Sequence, residues 1–227
     1  MAARWGHEVK TLSHAWSEFR AKRSPRIIGA AIVLVLAVRV AVGDPGWQDA
    51  AAVAAMLAIY PFGEWAIHVY LLHMPPFEFR GRRVHLPTSK AHWVHHEQPR
   101  NLNMILLAPT EAAALLGLAV PFSILLLGTP VWLIAGPIPA GTLLTALLTG
   151  HVLVGLYEWT HFLIHTAHRP RTRLYRAVWR THRLHHFKNE RYWHGVTSTI
   201  ADRVLGTLPD QRDVPRSATA RTLDVNA

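Results

Sequence analysis

The chain has 227 residues, half of them hydrophobic, and a formal net charge of +10 at pH 7. That length fits one domain or at most two. It contains no cysteine, which excludes disulfides and leaves nitrogen and oxygen atoms as the ligands for any bound metal. The basic residues flank apolar blocks, and no zinc-finger or RRM-type signature is present. The composition therefore argues against nucleic acid and for a membrane surface.

The first 26 residues are polar and basic. Within them, Leu12, Trp16 and Phe19 recur at the i, i+4, i+7 spacing of an amphipathic helix. Residues 1–26 are therefore treated as a separate basic segment. It is either a helix on the membrane surface or a disordered tail.

Four apolar stretches follow, most of them long enough to cross a bilayer. They are predicted over residues 27–42, 50–72, 104–127 and 143–164. Arg39 interrupts the first stretch, and its long side chain is expected to extend to an interface. Gly128 and Pro130 are expected to end the third stretch. The residues between it and the fourth are rich in glycine and proline, which predicts a re-entrant turn over 131–142.

The distribution of charge predicts the orientation of these spans. Both ends of the chain and residues 74–103 are rich in lysine and arginine, whereas residues 43–49 and 128–142 contain neither. Four spans with both termini in the cytoplasm satisfy the positive-inside rule at every loop. The predicted fold is all-α, an integral membrane bundle of about four transmembrane helices with a cytosolic histidine-rich helical cap. Residues 27–208 form this membrane domain, and residues 209–227 are expected to be a disordered tail.

Histidine is abundant, with 16 residues, and most lie in four short clusters at or beyond the ends of the second and fourth predicted spans. The clusters contain His68, His73, His92, His95, His96, His161, His165, His182, His185 and His186. Residues at i, i+3 and i+4 share one face of a helix, so each His-x-x-His-His triad is expected to project together. His68 and His73 are five residues apart. They converge only if their helix bends or frays before Pro75 and Pro76.

Ten imidazoles exceed the roughly four to six ligands of a single ion, so the doubled pattern predicts two metals. Imidazole suits iron, zinc, copper and nickel, and the spacing leaves the element open. Glu64 and Glu158 lie one helical turn before the first histidine of each half. They are candidates to orient a ligand ring or to bridge two ions. His168 and His194 are further candidates near the metals, and polar packing is the favoured role for His194.

The order and spacing of the histidines over roughly residues 55–208 resemble the fatty acid hydroxylase/sterol desaturase superfamily of membrane enzymes. The segment from Gly195 to Thr207, with Asp202 and Gly206, resembles the stretch after the last histidine box in fatty acid hydroxylases. The resemblance implies that the ten histidines hold two iron ions, with zinc as a substitute, on the cytosolic side of a four-helix membrane bundle. It also implies an enzyme that uses O₂ and external electrons to hydroxylate a fatty acyl or related lipid. Those electrons are expected from a separate cytochrome b5-like protein, ferredoxin or reductase.

Three other functions compete with this interpretation. A relative with the same chemistry would hydroxylate or desaturate a carotenoid or sterol. A membrane zinc hydrolase would need an open metal position and a catalytic glutamate, for which Glu97 is the local candidate. A metal transporter would place its ligands near the bilayer midplane, whereas these clusters lie at the ends of spans and beyond. Lipid hydroxylation is therefore the leading interpretation, with no catalytic residue beyond the metal ligands.

Overall fold

The computed structural model describes residues 5–223. Over those residues the protein is mostly helical, which confirms the predicted all-α class. The helices are α1 (Leu12–Ala21), α2 (Arg23–Val42), α3 (Trp47–Ala66), α4 (Pro87–Glu97), α5 (Pro109–Ala114), α6 (Val120–Ala135), α7 (Ala140–Ile164), α8 (Arg173–Phe187) and α9 (Ile200–Val204). A 3-10 turn covers Gly6–Glu8, and π-helical turns cover Ile67–Leu72 and Leu115–Ala119. Strands β1 (Phe77–Phe79) and β2 (Arg82–Val84) pair as an antiparallel hairpin.

The described chain forms two compact units assembled from non-consecutive segments. The membrane unit comprises residues 18–60 and 107–158. The histidine unit comprises residues 5–17, 61–106 and 159–223. All ten histidines singled out in the sequence lie in the histidine unit.

Four helical segments are long and apolar enough to cross a membrane. They are Arg23–Val42, Trp47–Leu72, Pro109–Ala135 and Ala140–Ile164. Each contains at least the roughly 20 residues that a bilayer requires. Many of their apolar side chains point outward, and Ile134 is 87% exposed. Such a surface suits lipid rather than water, so the prediction of four apolar segments of spanning length is confirmed.

The third span differs from its prediction. Helix α6 continues past Pro130 and ends at Ala135, and a four-residue loop then leads to α7. The predicted re-entrant turn over 131–142 is therefore wrong. Pro130 removes the amide that would donate to the Leu126 carbonyl, a loss that membrane helices tolerate through local adjustments of the backbone.

The membrane unit packs around a small apolar core formed by Ile28, Leu116 and Val154. Helix α7 approaches its neighbours closely at Gly150. A Cβ atom added there would lie 2.6 Å from Val120 Cγ1, which is too close for an ordinary contact. The absence of a side chain at this position therefore allows the close helix packing that is typical of membrane bundles.

Arg39 is buried within the membrane unit, and its side chain extends toward the end of the first span. Its guanidinium donates to Thr145 Oγ1 at 2.8 Å and to the Gly43 carbonyl at 2.7 Å. It also pairs with Asp49 at 3.0 Å, and Asp49 accepts from the Gly46 amide at 2.7 Å. A charge inside an apolar helix is costly unless it is paired, and Asp49 supplies the counter-charge from the start of α3.

The two ends of the described chain are more ordered than their composition predicts. Helix α1 forms, with Trp16 packed edge-on against Trp159 at 5.4 Å, so the disordered alternative is wrong for this stretch. The expectation of disorder is also wrong for residues 209–223, which we call the C-terminal strap. Val214 and Ala220 are buried in it, and its polar groups find partners on the loop after α8. Residues 1–4 and 224–227 of the predicted end segments lie outside the described residues.

The pairing of Arg39 with Asp49 can be tested by substitution. Asp49→Ala leaves the buried guanidinium without its counter-charge and is expected to lower the melting temperature of the detergent-solubilised protein. Asp44→Asn removes an exposed negative charge from the same loop and suits the positive φ of 47° at this position, so it is the control. Arg39→Leu combined with Asp49→Ala should recover part of the loss. Equal melting temperatures for the two single variants would contradict the assignment.

Candidate metal centre

The second span ends in the π-helical turn Ile67–Leu72. In a π-helix each amide bonds to the carbonyl five residues back, and the His73 amide donates to the His68 carbonyl at 3.1 Å. An α-helix would place these residues about 140° apart around its axis. The wider turn aligns them instead, and their ring centroids lie 5.0 Å apart. The π turn is therefore the bend that the five-residue spacing required.

The structure brings the ten histidines together in two groups of five. Within each group, one ring nitrogen from every residue lies within 4.8 Å of the others. Group A contains His68, His73, His92, His96 and His185. Group B contains His95, His161, His165, His182 and His186. The two groups adjoin, because the ring centroids of His96 and His186 are 4.1 Å apart.

Each His-x-x-His-His triad is divided between the two groups. In α4 the first and last histidines belong to group A and His95 belongs to group B, whereas in α8 His185 alone belongs to group A. The three rings of each triad do project together, with centroids 4.6–6.1 Å apart, but they serve two groups rather than one. Consecutive residues of an α-helix differ by about 100° in direction, so the i+3 side chain turns away from the i+4 side chain. Both groups consequently depend on α4 and α8 together.

Burial keeps these imidazoles neutral. Desolvation lowers the pKa of His96 to about 4. It lowers the pKa well below the usual range for His73, His92, His95, His165, His182, His185 and His186. Only a neutral imidazole offers the lone pair that binds a metal. The site therefore holds its nitrogen ligands ready for metal at neutral pH.

The ring nitrogens fit metal ions better than a hydrogen-bond network. Nε2 of His68 and both ring nitrogens of His95 are buried with no hydrogen-bond partner among the described residues. In four pairs the two Nε2 atoms lie only 3.0–3.2 Å apart: His73–His185, His92–His96, His165–His182 and His182–His186. Such separations also match two nitrogens that bind one ion at about 2.1 Å each. The donor set, all neutral nitrogen, thus fits two ions that accept imidazole.

Backbone carbonyls orient three of the rings through Nδ1. The pairs are His68 with the His194 carbonyl at 2.5 Å, His96 with the Ala220 carbonyl at 2.8 Å, and His185 with the Tyr192 carbonyl at 2.8 Å. A carbonyl can only accept, so Nδ1 carries the hydrogen in each ring. Nε2 is left with its lone pair directed into group A.

The loop that supplies two of these carbonyls is held by Asp202, which is fully buried. Its carboxylate accepts from the His194 amide at 2.9 Å, the Gly195 amide at 2.7 Å and Thr207 Oγ1 at 2.6 Å. A Cβ atom on Gly195 would lie 2.0 Å from the Ser198 carbonyl, so only glycine fits there. The segment that resembles fatty acid hydroxylases therefore fixes the backbone behind the rings, a role that its sequence did not reveal.

Glu64 binds the same loop. Its carboxylate accepts from the Val196 amide at 2.5 Å, from the Thr197 amide at 3.0 Å and from the Thr197 hydroxyl. Glu158 belongs to the membrane unit. There it accepts from Ser24 Oγ at 2.9 Å and the Leu107 amide at 3.2 Å. The contacts of both glutamates are thus with backbone amides and hydroxyl groups.

The two additional histidine candidates lie outside both groups. The ring of His194 is 5.2 Å from that of His185, and its Nε2 donates to the Arg191 carbonyl at 3.1 Å. This contact is compatible with the favoured role of polar packing beside the ligands. His168 stacks on Tyr175 at 6.5 Å. The structure places neither ring among the ten clustered nitrogens.

The C-terminal strap contributes to the site, which sequence reasoning missed. Besides the Ala220 carbonyl that orients His96, Arg221 Nε donates to the His96 carbonyl at 2.7 Å. Buried Glu190 holds the strap by accepting from Ser217 Oγ at 3.0 Å and Thr219 Oγ1 at 2.7 Å. The strap is as polar as a disordered tail. Only its hydrogen bonds to other residues of the histidine unit distinguish it from one.

Comparison with known proteins agrees with this geometry. Two dihydroceramide fatty acyl 2-hydroxylases of Arabidopsis thaliana are each 28% identical to the chain, over 150 and 152 residues. These matches cover 64% and 66% of this chain and 55% and 57% of the relatives, so the chain spans little more than half their length. The solved structure of scs7p, in which only the hydroxylase domain is visible, is similar in fold. Its TM-score is 0.59 at 20% identity, and the match covers 86% of this chain and 68% of that chain.

A model of the fatty acid hydroxylase family matches residues 53–207. This match covers more than half of the chain and contains all ten clustered histidines. It also contains the loop that Asp202 holds behind them. The chain therefore belongs to the fatty acid hydroxylase family.

Proposed function

We propose that this protein is a membrane di-iron oxygenase that hydroxylates a C–H bond of a lipid with O₂ and external electrons. The observation that carries the proposal is the pair of adjoining groups of five neutral histidines, nine of the ten buried, in a chain with four apolar helices. Family membership supports a lipid as substrate.

The balanced reaction is RH + O₂ + 2 e⁻ + 2 H⁺ → ROH + H₂O, where RH is the lipid. Iron bound by the two groups would supply the redox chemistry that activates O₂, which zinc cannot supply because it has no redox states. The chain's own residues have three tasks. The ten histidines provide ligands, the carbonyls of His194, Ala220 and Tyr192 fix ring orientation, and the packed unit excludes water.

The substrate class follows from the relatives. Those named above are dihydroceramide fatty acyl 2-hydroxylases, and we propose an acyl lipid for this chain, with carbon 2 of the acyl chain as the first candidate. Both histidine groups lack a carboxylate. That composition favours an oxygenase over a zinc hydrolase, which would place a catalytic glutamate such as Glu97 beside the metal.

The metal assignment predicts about two ions per chain in protein purified without oxygen. His185→Ala removes a group A ligand and is expected to abolish hydroxylation and lower metal content, because a methyl group cannot replace imidazole. His14→Ala, in α1, is the control and should change neither. His194→Ala should keep its metal if the ring only packs beside the ligands. Elemental analysis of folded protein giving one ion or none would refute the two-metal site.

The substrate assignment predicts a gain of one oxygen atom in one lipid class of cells that express the protein. Mass spectrometry of fragmented acyl chains locates the hydroxyl group, which we expect at carbon 2. Cells expressing His185→Ala provide the matched control and should lack the product. A product that has lost two hydrogen atoms, without added oxygen, would instead indicate desaturation.

The charge pattern predicts that both termini and the metal site are cytoplasmic. A reporter that is active only in the cytoplasm, fused after Ala227, should be active. The same reporter inserted in the loop at 43–49 should be inactive, because that loop lies on the opposite side. The reverse pattern would require a different orientation of the four spans.

A further inference from the structure

The outer surface of α8 carries arginines that the proposed chemistry does not use. Two grooves meet there and share Phe187. The first, of about 400 Å³, is lined by Arg100, Arg180 and Arg183, and the second, of about 340 Å³, by Arg216 and Arg221. We call these five arginines the arginine face. It joins α8 to the loop after α4 and to the C-terminal strap, all within the histidine unit.

The positive charge of the arginine face is not neutralised within the described chain. None of its five guanidinium groups forms a salt bridge with another described residue, and only Arg183 is half-buried. Asp210 lies within electrostatic range of Arg180, but it is already paired with Arg212 at 2.8 Å. Burial, and then the like charge of nearby Arg100, lower the pKa of Arg183. Crowded cations of this kind attract an anionic partner.

Aromatic rings hold part of this charge in place. The Arg183 guanidinium lies 4.8 Å from the centroid of Trp179 and 5.5 Å from that of Phe187, and Arg221 lies 5.9 Å from Phe187. Arginine and large aromatic side chains are the residues enriched at protein–protein interfaces. Trp179 and Phe187 are only partly exposed, unlike the protruding apolar side chains by which proteins insert into membranes. The composition therefore favours a protein over a lipid surface.

The arginine face also lies close to the metal ligands. Phe187 directly follows His186 of group B, and the two ring centroids are 6.4 Å apart. The same helix carries His182 and His185. A protein bound to the arginine face would therefore be separated from group B by little more than one layer of side chains.

We propose that the arginine face is the docking surface for an acidic one-electron carrier protein. The proposed hydroxylation needs two electrons from outside, so two encounters are required. Each encounter oxidises one carrier by one electron, and the two electrons, with two protons, reduce the second oxygen atom of O₂ to water. The carrier's redox role rests on the proposed function, whereas its binding depends only on charge and shape.

The test measures binding to the full-length protein in nanodiscs made of neutral phosphatidylcholine. The probes are cytochrome b5 and a [2Fe–2S] ferredoxin, which are acidic carriers, and cytochrome c, which is a basic one. Arg180→Glu combined with Arg216→Glu reverses one charge in each groove. Arg82→Glu combined with Arg171→Glu makes the same change in net charge at exposed positions elsewhere.

At low ionic strength we expect at least one acidic carrier to bind the wild type and cytochrome c not to bind. The grooves variant should weaken Kd about tenfold or more, the control variant less than about twofold, and added salt should weaken the wild-type complex. Equal weakening in both variants, or no binding by either acidic carrier, would overturn the proposal. An effect of the grooves variant that appears only in phosphatidylserine nanodiscs would assign the face to anionic lipid instead.

Failure of the proposed function is detected separately. The iron-loaded wild type is reduced with dithionite in the absence of oxygen, excess dithionite is removed, and O₂ is then added, so that the two electrons of a single turnover are supplied without a docking surface. If no product forms there, the proposed function fails whatever the binding result. If product forms with dithionite while neither acidic carrier binds, the docking proposal alone fails.

Discussion

Ten imidazoles packed out of water carry lone pairs that need either protons or metal ions, and burial disfavours the protonated form. Desolvation lowers the pKa of His96 to about 4, and His68 and His95 keep ring nitrogens without partners among the described residues. Burying these ring nitrogens without a partner is unfavourable, and metal binding would offset that cost. The surrounding structure can be understood as the means of holding such a set together: helices that converge, a loop that orients rings and a strap that covers them.

Two features of helix geometry make the convergence work. The π turn at Ile67–Leu72 aligns two histidines that an α-helix would separate. The division of each triad lets α4 and α8 contribute to both groups, so that neither group can form without both helices. One consequence is that the two ligand sets interlock. Loss of a single helix face would then disturb both groups rather than one.

Orientation of the rings depends on backbone that is itself tightly fixed. Asp202 and Glu64 hold the loop whose carbonyls bind His68 and His185, and Glu190 holds the strap whose carbonyl binds His96. Polar groups thus form successive layers outside the histidines. The outermost layer is the arginine face, where the strap and α8 meet. The segments that fix the ligands also build the surface proposed to receive an electron carrier.

The sequence by itself determined the four apolar segments, the ten histidines and their doubled pattern, because hydropathy and ligand spacing are local properties of the chain. Tertiary structure alone decided which histidine joins which group, since each group combines rings from α4, α8 and the end of a third helix. It also decided that α6 continues past Pro130, that Arg39 pairs with Asp49, and that residues 209–223 are ordered. For Arg39 and for residues 209–223 the deciding contacts are made with residues elsewhere in the chain. Composition therefore shows only that a proline or a charge is unfavourable inside an apolar helix. The contacts that offset an unfavourable residue form only once the chain has folded.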